Sequence, residues 1–505
     1  MPGIVSDREW NHMSGLASGA VLLLFLLVAG APVAAALAQA DPGQALAALP
    51  LWGRTAALAA AGALGACLLG IPVGWAIARG TGRRILLGLT LALAILPTTF
   101  SAIGWISAFG AQGSLVSWNG LYGPAGVALV WACCFWPLLA LAVWGALSRL
   151  EPALEEAALL SLPPWRVLLA VTLPGAFPVL LPAAAVAWIL MLGDLGVPGC
   201  LQVPVGAEAV HARFVGSWDL AGAAGMALPM LVMSCAAVLL CRKGFRSFAS
   251  GGDPRAGGAT SPLSLPVSCL AGLLAVAAIG IPVAGLAGWA GRAGFPKALL
   301  LLGGEGRSTL ALAAGTGLLA SALGFAVSAV LARRPPAMCA AAGLAMLAFA
   351  LPGTLVGMGL IRIWNVPDWR GAVYGSWGIL LLAALARSLA PALLMAWSAF
   401  RAIPSSFDEA ARLCGLPFWR RALSISLPLG RGRLAAGALL AAVVAAGEVA
   451  ATSLVSPPGV QTLAARLFSL VHFGADGVVG ATALMGMAGV VVLGFGIAFA
   501  LASRS

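Results

Sequence analysis

The sequence DEAARLCGLPFWRRALSISLP, Asp408–Pro428, is a polar and basic run in a chain with almost no other polar runs. It predicts a short helix, a turn and the start of a second helix. Ser406 and Glu409 have the S-x-x-E spacing of a capping box, in which each side chain satisfies a backbone N–H at the helix start. Gly415 lies where a helix end favours a left-handed residue, and Pro417 suits the first turn of the next helix.

The same loop occurs earlier in the chain, at an offset of 254 residues and without a gap. The pairs that agree include rare polar residues and prolines on both sides of the loop. They are Glu155 and Glu409, Pro163 and Pro417, Trp165 and Trp419, Arg166 and Arg420, Pro174 and Pro428, Arg79 and Arg333, Gly193 and Gly447, and Asp194 and Glu448. This many agreements at one offset indicate an internal duplication.

The first copy of the loop departs from the second. It reads Glu155-Glu156-Ala157, and Ser161 stands where the second copy has Gly415. If the turn needs a positive φ, Ser161 costs roughly 1 kcal/mol in steric strain. We therefore expect the first loop to bend differently or to bind its partner less tightly.

Composition places the chain in the membrane. The 505 residues are 61% hydrophobic and only 9% charged, whereas soluble domains carry roughly 25% charged residues. The net charge of +12 is better explained by basic cytoplasmic loops than by nucleic-acid binding. The nine Cys are scattered and contain no C-x-x-C, so we expect neither a metal site nor a disulfide framework.

Apolar stretches long enough to cross a bilayer recur along the chain. A first span near 16–37 is expected to be retained, although Ala38-Gln39-Ala40 resembles a signal-peptide cleavage site. The remaining spans are predicted near 55–78, 85–109, 125–147, 175–193, 219–241, 263–289, 309–332, 338–361, 375–400, 434–452 and 478–501. The prediction is an all-α polytopic membrane protein of about twelve helices in two six-helix repeats.

Most Lys and Arg residues fall in segments that face inside if the N-terminus is cytoplasmic, which sets the predicted orientation of both termini. Residues 1–241 and 263–505 are the predicted transmembrane halves. Residues 242–262, rich in Gly and Ser, have the composition of a flexible cytoplasmic linker.

The pattern E-A-A-x-x-x-G followed by L-P resembles the cytoplasmic loop of type I ABC importer permeases. The resemblance is strongest over 140–215 and 395–470, where GEVAATSLVSPPGVQTLAARLF, from Gly447, is similar to permeases for iron(III), thiamine and sulfate. It implies a fused permease in the inner membrane, with a periplasmic binding protein and two copies of an ATPase that hydrolyses ATP with Mg²⁺. The implied coupling loops are 151–174 and 404–428, with coupling residues Glu155, Glu156, Ala157, Ser161, Glu409, Ala410, Ala411 and Gly415. No cofactor is expected on this chain, which has no G-x-x-x-x-G-K-[ST] motif.

Three ionisable residues at membrane depth are candidates for the pathway or its gate. Asp194 and Glu448 end the fifth and eleventh spans at equivalent positions, and an interfacial acid solvated outside is the alternative. Arg387 lies in the middle of a span, and its alternatives are to snorkel to the interface or to form a structural ion pair with Glu448.

Two other functional hypotheses compete with an ABC importer: a secondary transporter and a membrane enzyme. A secondary transporter also has repeated spans, but it does not explain the basic loop between the fourth and fifth spans of each half. A membrane enzyme lacks support because we find no paired acids, His cluster or nucleophile motif. The solute suggested by resemblance is iron(III), with thiamine or a small anion such as sulfate as rivals.

Overall fold

The structure is a computed structural model that describes residues 7–80, 83–94, 96–241, 264–291, 294–332, 334–473 and 476–502. Over these residues the regular secondary structure is helical, with no strand. The predicted all-helical class is thus confirmed. The predicted linker 242–262 lies outside the described residues, as does Arg333, the predicted counterpart of Arg79.

The α-helices are numbered in chain order. The first twelve are α1 Asp7–Phe25, α2 Ala31–Leu37, α3 Pro42–Arg79, α4 Arg83–Ala94, α5 Thr98–Phe109, α6 Pro124–Leu147, α7 Pro152–Leu159, α8 Pro164–Val167, α9 Leu173–Leu192, α10 Gly196–Cys200, α11 Gly206–Ser217 and α12 Leu220–Leu240. The others are α13 Ser264–Ala290, α14 Gly294–Leu301, α15 Arg307–Leu331, α16 Pro335–Ala350, α17 Gly353–Trp364, α18 Trp369–Tyr374, α19 Trp377–Ala402, α20 Ser405–Leu413, α21 Phe418–Arg421, α22 Leu427–Gly447, α23 Ala450–Val455, α24 Leu463–His472 and α25 Asp476–Ala502. Short π-helical segments at Leu26–Gly30, Leu168–Thr172, Leu302–Gly306 and Ala422–Ser426 join neighbouring helices.

Within the described residues, nine helices are long and apolar enough to cross a membrane, or eleven if two bent pairs each count as one span. The chain is therefore a multi-pass helical membrane protein. Several spans are longer than predicted, because π-helical segments join α8 to α9 and α14 to α15 without a break.

Two predicted spans, 85–109 and 338–361, are not straight helices. In each, two helices meet at an angle of 101°, α4 with α5 and α16 with α17. The breaks fall at Leu96-Pro97 and Leu351-Pro352, because proline lacks the N–H that would continue the helix and disfavours helical geometry in the residue before it. The two prolines are 255 residues apart, so the gap-free offset of 254 does not hold here.

The described helices divide into two compact units that differ from the predicted sequence halves. One unit contains residues 1–39 and 307–462, and the other contains residues 40–306 and 463–505. In the first, α2 packs against α17; in the second, α13 packs against α5 and α25. The opening helix of each predicted half therefore packs with helices of the other half.

Close helix crossings form the core of each unit. A Cβ on Gly70 would lie 2.7 Å from the carbonyl oxygen of Trp136, so α3 and α6 can approach only because this residue is glycine. A Cβ on Gly317 would lie 2.5 Å from the carbonyl oxygen of Ala438, which shows the same requirement where α15 meets α22. Small residues at such crossings replace the hydrophobic driving force that is absent between helices in lipid.

Candidate functional site

The second candidate coupling loop folds as the helix, turn and helix that its sequence predicts. Helix α20 ends before Gly415, whose φ of +72° is left-handed, and Pro417 directly precedes α21. The predicted capping box is wrong, because α20 begins at Ser405 after Pro404 and has no side-chain hydrogen bond at its start. Ser406 already lies inside the helix, where it cannot cap it.

Asp408 organises this loop, a role that the sequence analysis missed. Its carboxylate accepts a hydrogen bond from Arg421 Nε at 3.0 Å and forms an ion pair with Arg412, whose Nε lies 3.0 Å from Asp408 Oδ2. Arg421 also donates from Nη1 to the carbonyl of Leu416 at 2.6 Å. The pairing ties α20 to α21 across the turn, and the spacing of Asp408 and Arg412 was the available sequence signal.

The second loop presents an apolar surface. Leu413 is 91% exposed and Phe407 50% exposed, while the predicted coupling residues Glu409 and Ala410 are also exposed and Ala411 is buried. Phe418 and Trp419 instead pack against a buried cluster that includes Phe325 and Leu434. The loop is thus anchored through α21 and leaves α20 accessible.

The first candidate loop is anchored by a buried ion pair. Arg79 Nε donates to Glu155 Oε2 at 2.7 Å, and the two side chains are only 4% and 7% exposed. Thr172 Oγ1 donates to Glu155 Oε1 at 2.7 Å, and Arg79 Nη2 donates to the carbonyl of Leu147 at 2.9 Å. Glu155 therefore connects α7 to α3 and to the π-helical segment, and it is not a surface residue.

The other predicted residues of this loop, Glu156, Ala157 and Ser161, are exposed, and Leu160 is 90% exposed. Ser161 is not among the described residues with positive φ, so this loop turns without the left-handed residue found at Gly415. The two equivalent glutamates also differ, since Glu155 is buried and Glu409 is exposed. Their shared assignment as coupling residues stays a prediction, and the two side chains lie in different environments.

Asp194 follows α9 and is held by neutral donors. Its carboxylate accepts from Thr98 Oγ1 and Trp131 Nε1, both at 2.7 Å. It also accepts from the backbone N–H groups of Gly196 at 3.2 Å and Val197 at 3.1 Å, at the start of α10. Thr98 is the first residue after the bend of the α4–α5 pair, so Asp194 joins the end of α9 to that bend.

Glu448 occupies the equivalent position after α22 but has a charged partner. Arg387 Nε donates to Glu448 Oε2 at 3.0 Å, and the N–H of Ala451 donates to Glu448 Oε1 at 2.9 Å. A Cβ on Gly353, the first residue of α17, would collide with Glu448 Oε1. Glu448 thus lies against the bend of the α16–α17 pair, as Asp194 lies against the other bend.

Arg387 also binds the free end of the broken helix. Its Nη1 donates to the carbonyls of Ala348 at 3.1 Å and Leu351 at 2.6 Å, and it contacts the carbonyl of Phe349 as well. These are the carbonyls that a helix leaves unsatisfied at its C-terminus. The predicted pairing of Arg387 with Glu448 is present, and a role of either residue in the pathway or its gate stays a prediction.

The described residues contain no group of three or more His, Cys, Asp or Glu side chains that could hold a metal ion. The candidate site instead consists of two loops that expose apolar side chains and of two carboxylates, Asp194 and Glu448, that lie against the bent helix pairs.

Residues 320–504 match the family described as the binding-protein-dependent transport system inner membrane component. The matched segment contains the second loop, Arg387 and Glu448. The chain is also 29% identical, over 166 residues, to the molybdate/tungstate transport system permease protein of Thermococcus kodakarensis. That alignment covers 32% of this chain and 65% of the archaeal protein, slightly less than two thirds of its length. Both matches support a permease of the type I ABC class.

Proposed function

We propose that this chain is the permease component of a binding-protein-dependent ABC importer in the inner membrane. Its partners are a periplasmic solute-binding protein and a separate ATPase that hydrolyses ATP with Mg²⁺. The observation that carries the proposal is the exposed helix α20, with Leu413 at its end, inside the segment that matches the inner-membrane component family.

We infer further that the chain is a fusion of two permease halves. The π-helical segments Leu168–Thr172 and Ala422–Ser426 lie 254 residues apart, and both follow a short loop helix and precede a long span. Both halves also contain a helix pair bent by 101°. These equivalent features support a duplication in which each half supplies one coupling loop.

The apolar surface of α20 suits a groove on the ATPase. Exposed Leu413 and Phe407 would be desolvated there, and burial of a leucine side chain contributes about 1.5–3 kcal/mol. Asp408 and Arg421 hold α20 against α21, so a displacement of α20 by the ATPase would be passed to α22 through α21 and the π-helical segment.

Thiol labelling tests this docking directly. Cys414 is an exposed cysteine beside Leu413, so we expect the ATPase to slow its reaction with a maleimide in the purified complex. The Leu413→Asp variant should lose both the bound ATPase and the protection, whereas Leu413→Met should keep both. Equal labelling of Cys414 with and without a co-purifying ATPase would reject the docking role of this loop.

For the solute, we propose an oxyanion of the molybdate or tungstate type in place of the iron(III) suggested by resemblance. The support is the similarity to the archaeal permease named for molybdate and tungstate. The anion alternative was already open in the sequence. Iron(III) and thiamine remain the competing solutes.

Uptake assays separate these solutes. Cells with and without the gene, each with the neighbouring binding protein, are given labelled molybdate, ferric ion or thiamine. We expect gene-dependent molybdate uptake that excess tungstate inhibits. Gene-dependent iron accumulation without molybdate uptake would overturn the oxyanion assignment and leave the importer proposal standing, whereas uptake that continues without ATP would favour a secondary transporter.

A further inference from the structure

A cavity of about 320 Å³ lies in the unit formed by residues 40–306 and 463–505. It is bounded by α14, α24 and α25 and lined by Lys297, Leu300, Leu301, Arg466, Leu470 and Val478. The helices beneath it are closely packed, since Ala290, Ala298 and Ala481 form a buried cluster. The cavity is therefore part of a well-packed region and separate from both candidate coupling loops.

The cavity carries positive charge. Lys297 and Arg466 contribute two cations, and a carboxylate oxygen, Glu305 Oε1, lies 4.0 Å from Arg466 Nε. That distance exceeds a hydrogen bond, and the buried Arg466 Nε has no hydrogen-bond partner among the residues that the structure describes. The charged side chains that line the cavity are thus both cations, which favours an anionic group there.

The other walls are apolar and face outward. Leu300 is 78% exposed and Leu299, beside it, is 58% exposed, as expected for side chains that contact acyl chains. The cavity also lies near the start of the apolar helices Gly294–Leu331 and Asp476–Val492, where we expect the lipid headgroups. Cations at this depth beside an apolar wall match an amphiphile that is charged at one end.

We propose that this cavity binds the phosphodiester headgroup of an anionic phospholipid. The negative charge of the phosphodiester would face the two cations that line the cavity. Arg466 Nε supplies a charge-assisted hydrogen bond, Lys297 supplies a second cation, and one acyl chain lies along Leu300 and Leu470. A free phosphate ion would use the same cations but would leave the leucine wall without a partner.

Native mass spectrometry of the full-length protein in detergent tests the proposal. Phosphatidylglycerol and phosphatidylcholine with identical acyl chains are added separately, and the lipid-bound fraction is measured. We expect preferential retention of phosphatidylglycerol, which the Lys297→Gln/Arg466→Gln variant should lower roughly tenfold or more. Arg54→Gln removes an exposed cation from α3 in the same unit and should leave retention unchanged.

Additional variants and a competition with phosphate distinguish lipid binding from a folding defect and from a site for free anions. Lys297→Gln alone changes an exposed residue, so it should weaken phosphatidylglycerol retention while the melting temperature stays that of the wild type. Lys297→Arg should retain the lipid. Equal phosphatidylglycerol retention in wild type and the double variant would overturn the proposal, and so would displacement of the lipid by millimolar inorganic phosphate.

Discussion

The buried pair of Arg79 and Glu155 gives the sharpest prediction about how the first loop is held. The Glu155→Gln variant keeps the size of the side chain and an acceptor for Thr172 but removes the negative charge that faces Arg79. The guanidinium would then keep only the carbonyl of Leu147 as a partner in a site where it is 4% exposed. We expect the loop helix α7 to separate from α3 before the rest of the protein unfolds.

The expected cost follows from the burial. Removing one partner of a buried pair leaves an uncompensated charge and costs about 3–5 kcal/mol, whereas an exposed pair contributes about 0–1 kcal/mol. Both side chains are nearly inaccessible, so the range for a buried pair applies. The hydrogen bonds that the amide of Gln retains should keep the cost near the low end of that range. We expect a loss of about 3 kcal/mol for Glu155→Gln and a larger loss for Glu155→Lys, which places a second cation beside Arg79.

The measurement is unfolding of the purified protein in mixed micelles by increasing denaturing detergent. Glu156→Gln is the matched control, because Glu156 is the adjacent, exposed residue, and it should change stability by less than about 0.5 kcal/mol. The Arg79→Met/Glu155→Met double variant should recover most of the loss, since apolar pairs can replace buried ion pairs. Equal stabilities of Glu155→Gln and Glu156→Gln would refute the reasoning.

Four other outcomes are expected. Arg387→Met should destabilise the protein by about 3 kcal/mol in the same assay, because it leaves a buried carboxylate unpaired; no loss would show that the ion pair contributes nothing. Glu409→Lys should abolish solute uptake at normal membrane levels, and unchanged uptake would exclude this exposed residue from coupling. Co-expressed fragments 1–250 and 256–505 should restore uptake in a null strain, and two stable but inactive fragments would show that the linker does more than tether. Hydrogen bonding from Gly222 and Arg213 lowers the pKa of Asp219 in the folded protein. The ionised carboxylate therefore stabilises the fold above about pH 3.9, and this stabilisation is lost as the pH falls through the lower pKa of the folded state. The melting temperature of Asp219→Asn should depend less on pH over this acidic range than that of the wild type.

The sequence predicted the helical class and the loop turn for direct physical reasons. The length of an apolar stretch indicates a membrane-spanning helix, and Gly415 indicates a helix that ends in a left-handed residue. The same apolar length concealed the breaks at Pro97 and Pro352, because hydrophobicity continues through a bend that proline alone marks. A proline inside an apolar stretch is ambiguous, since Pro137 lies within the continuous helix α6.

Burial was the part of the candidate site that the sequence could not supply. Glu155 and Glu409 are equivalent in the alignment, yet one is buried and the other exposed, and this depends on contacts with distant residues such as Arg79. The donors to Asp194, Thr98 and Trp131, lie far away in the chain and carry no local signal. The pairing of Arg387 with Glu448 could be foreseen as an alternative because charges deep in a membrane require partners.

The exchange of opening helices between the two predicted halves has a consequence for biosynthesis. Residues 1–39 pack in a unit whose other members begin at Arg307, so α1 and α2 leave the ribosome well before their packing partners exist. At about 5–20 residues per second, the delay is roughly 13–54 s. During this time the first span is stabilised by lipid or by the insertion machinery alone, and its apolar length, unaided by neighbours, must be sufficient to keep it in the bilayer. Mutations that lower the hydrophobicity of Leu16–Leu37 should therefore reduce the yield of inserted protein more than they reduce the stability of the finished fold.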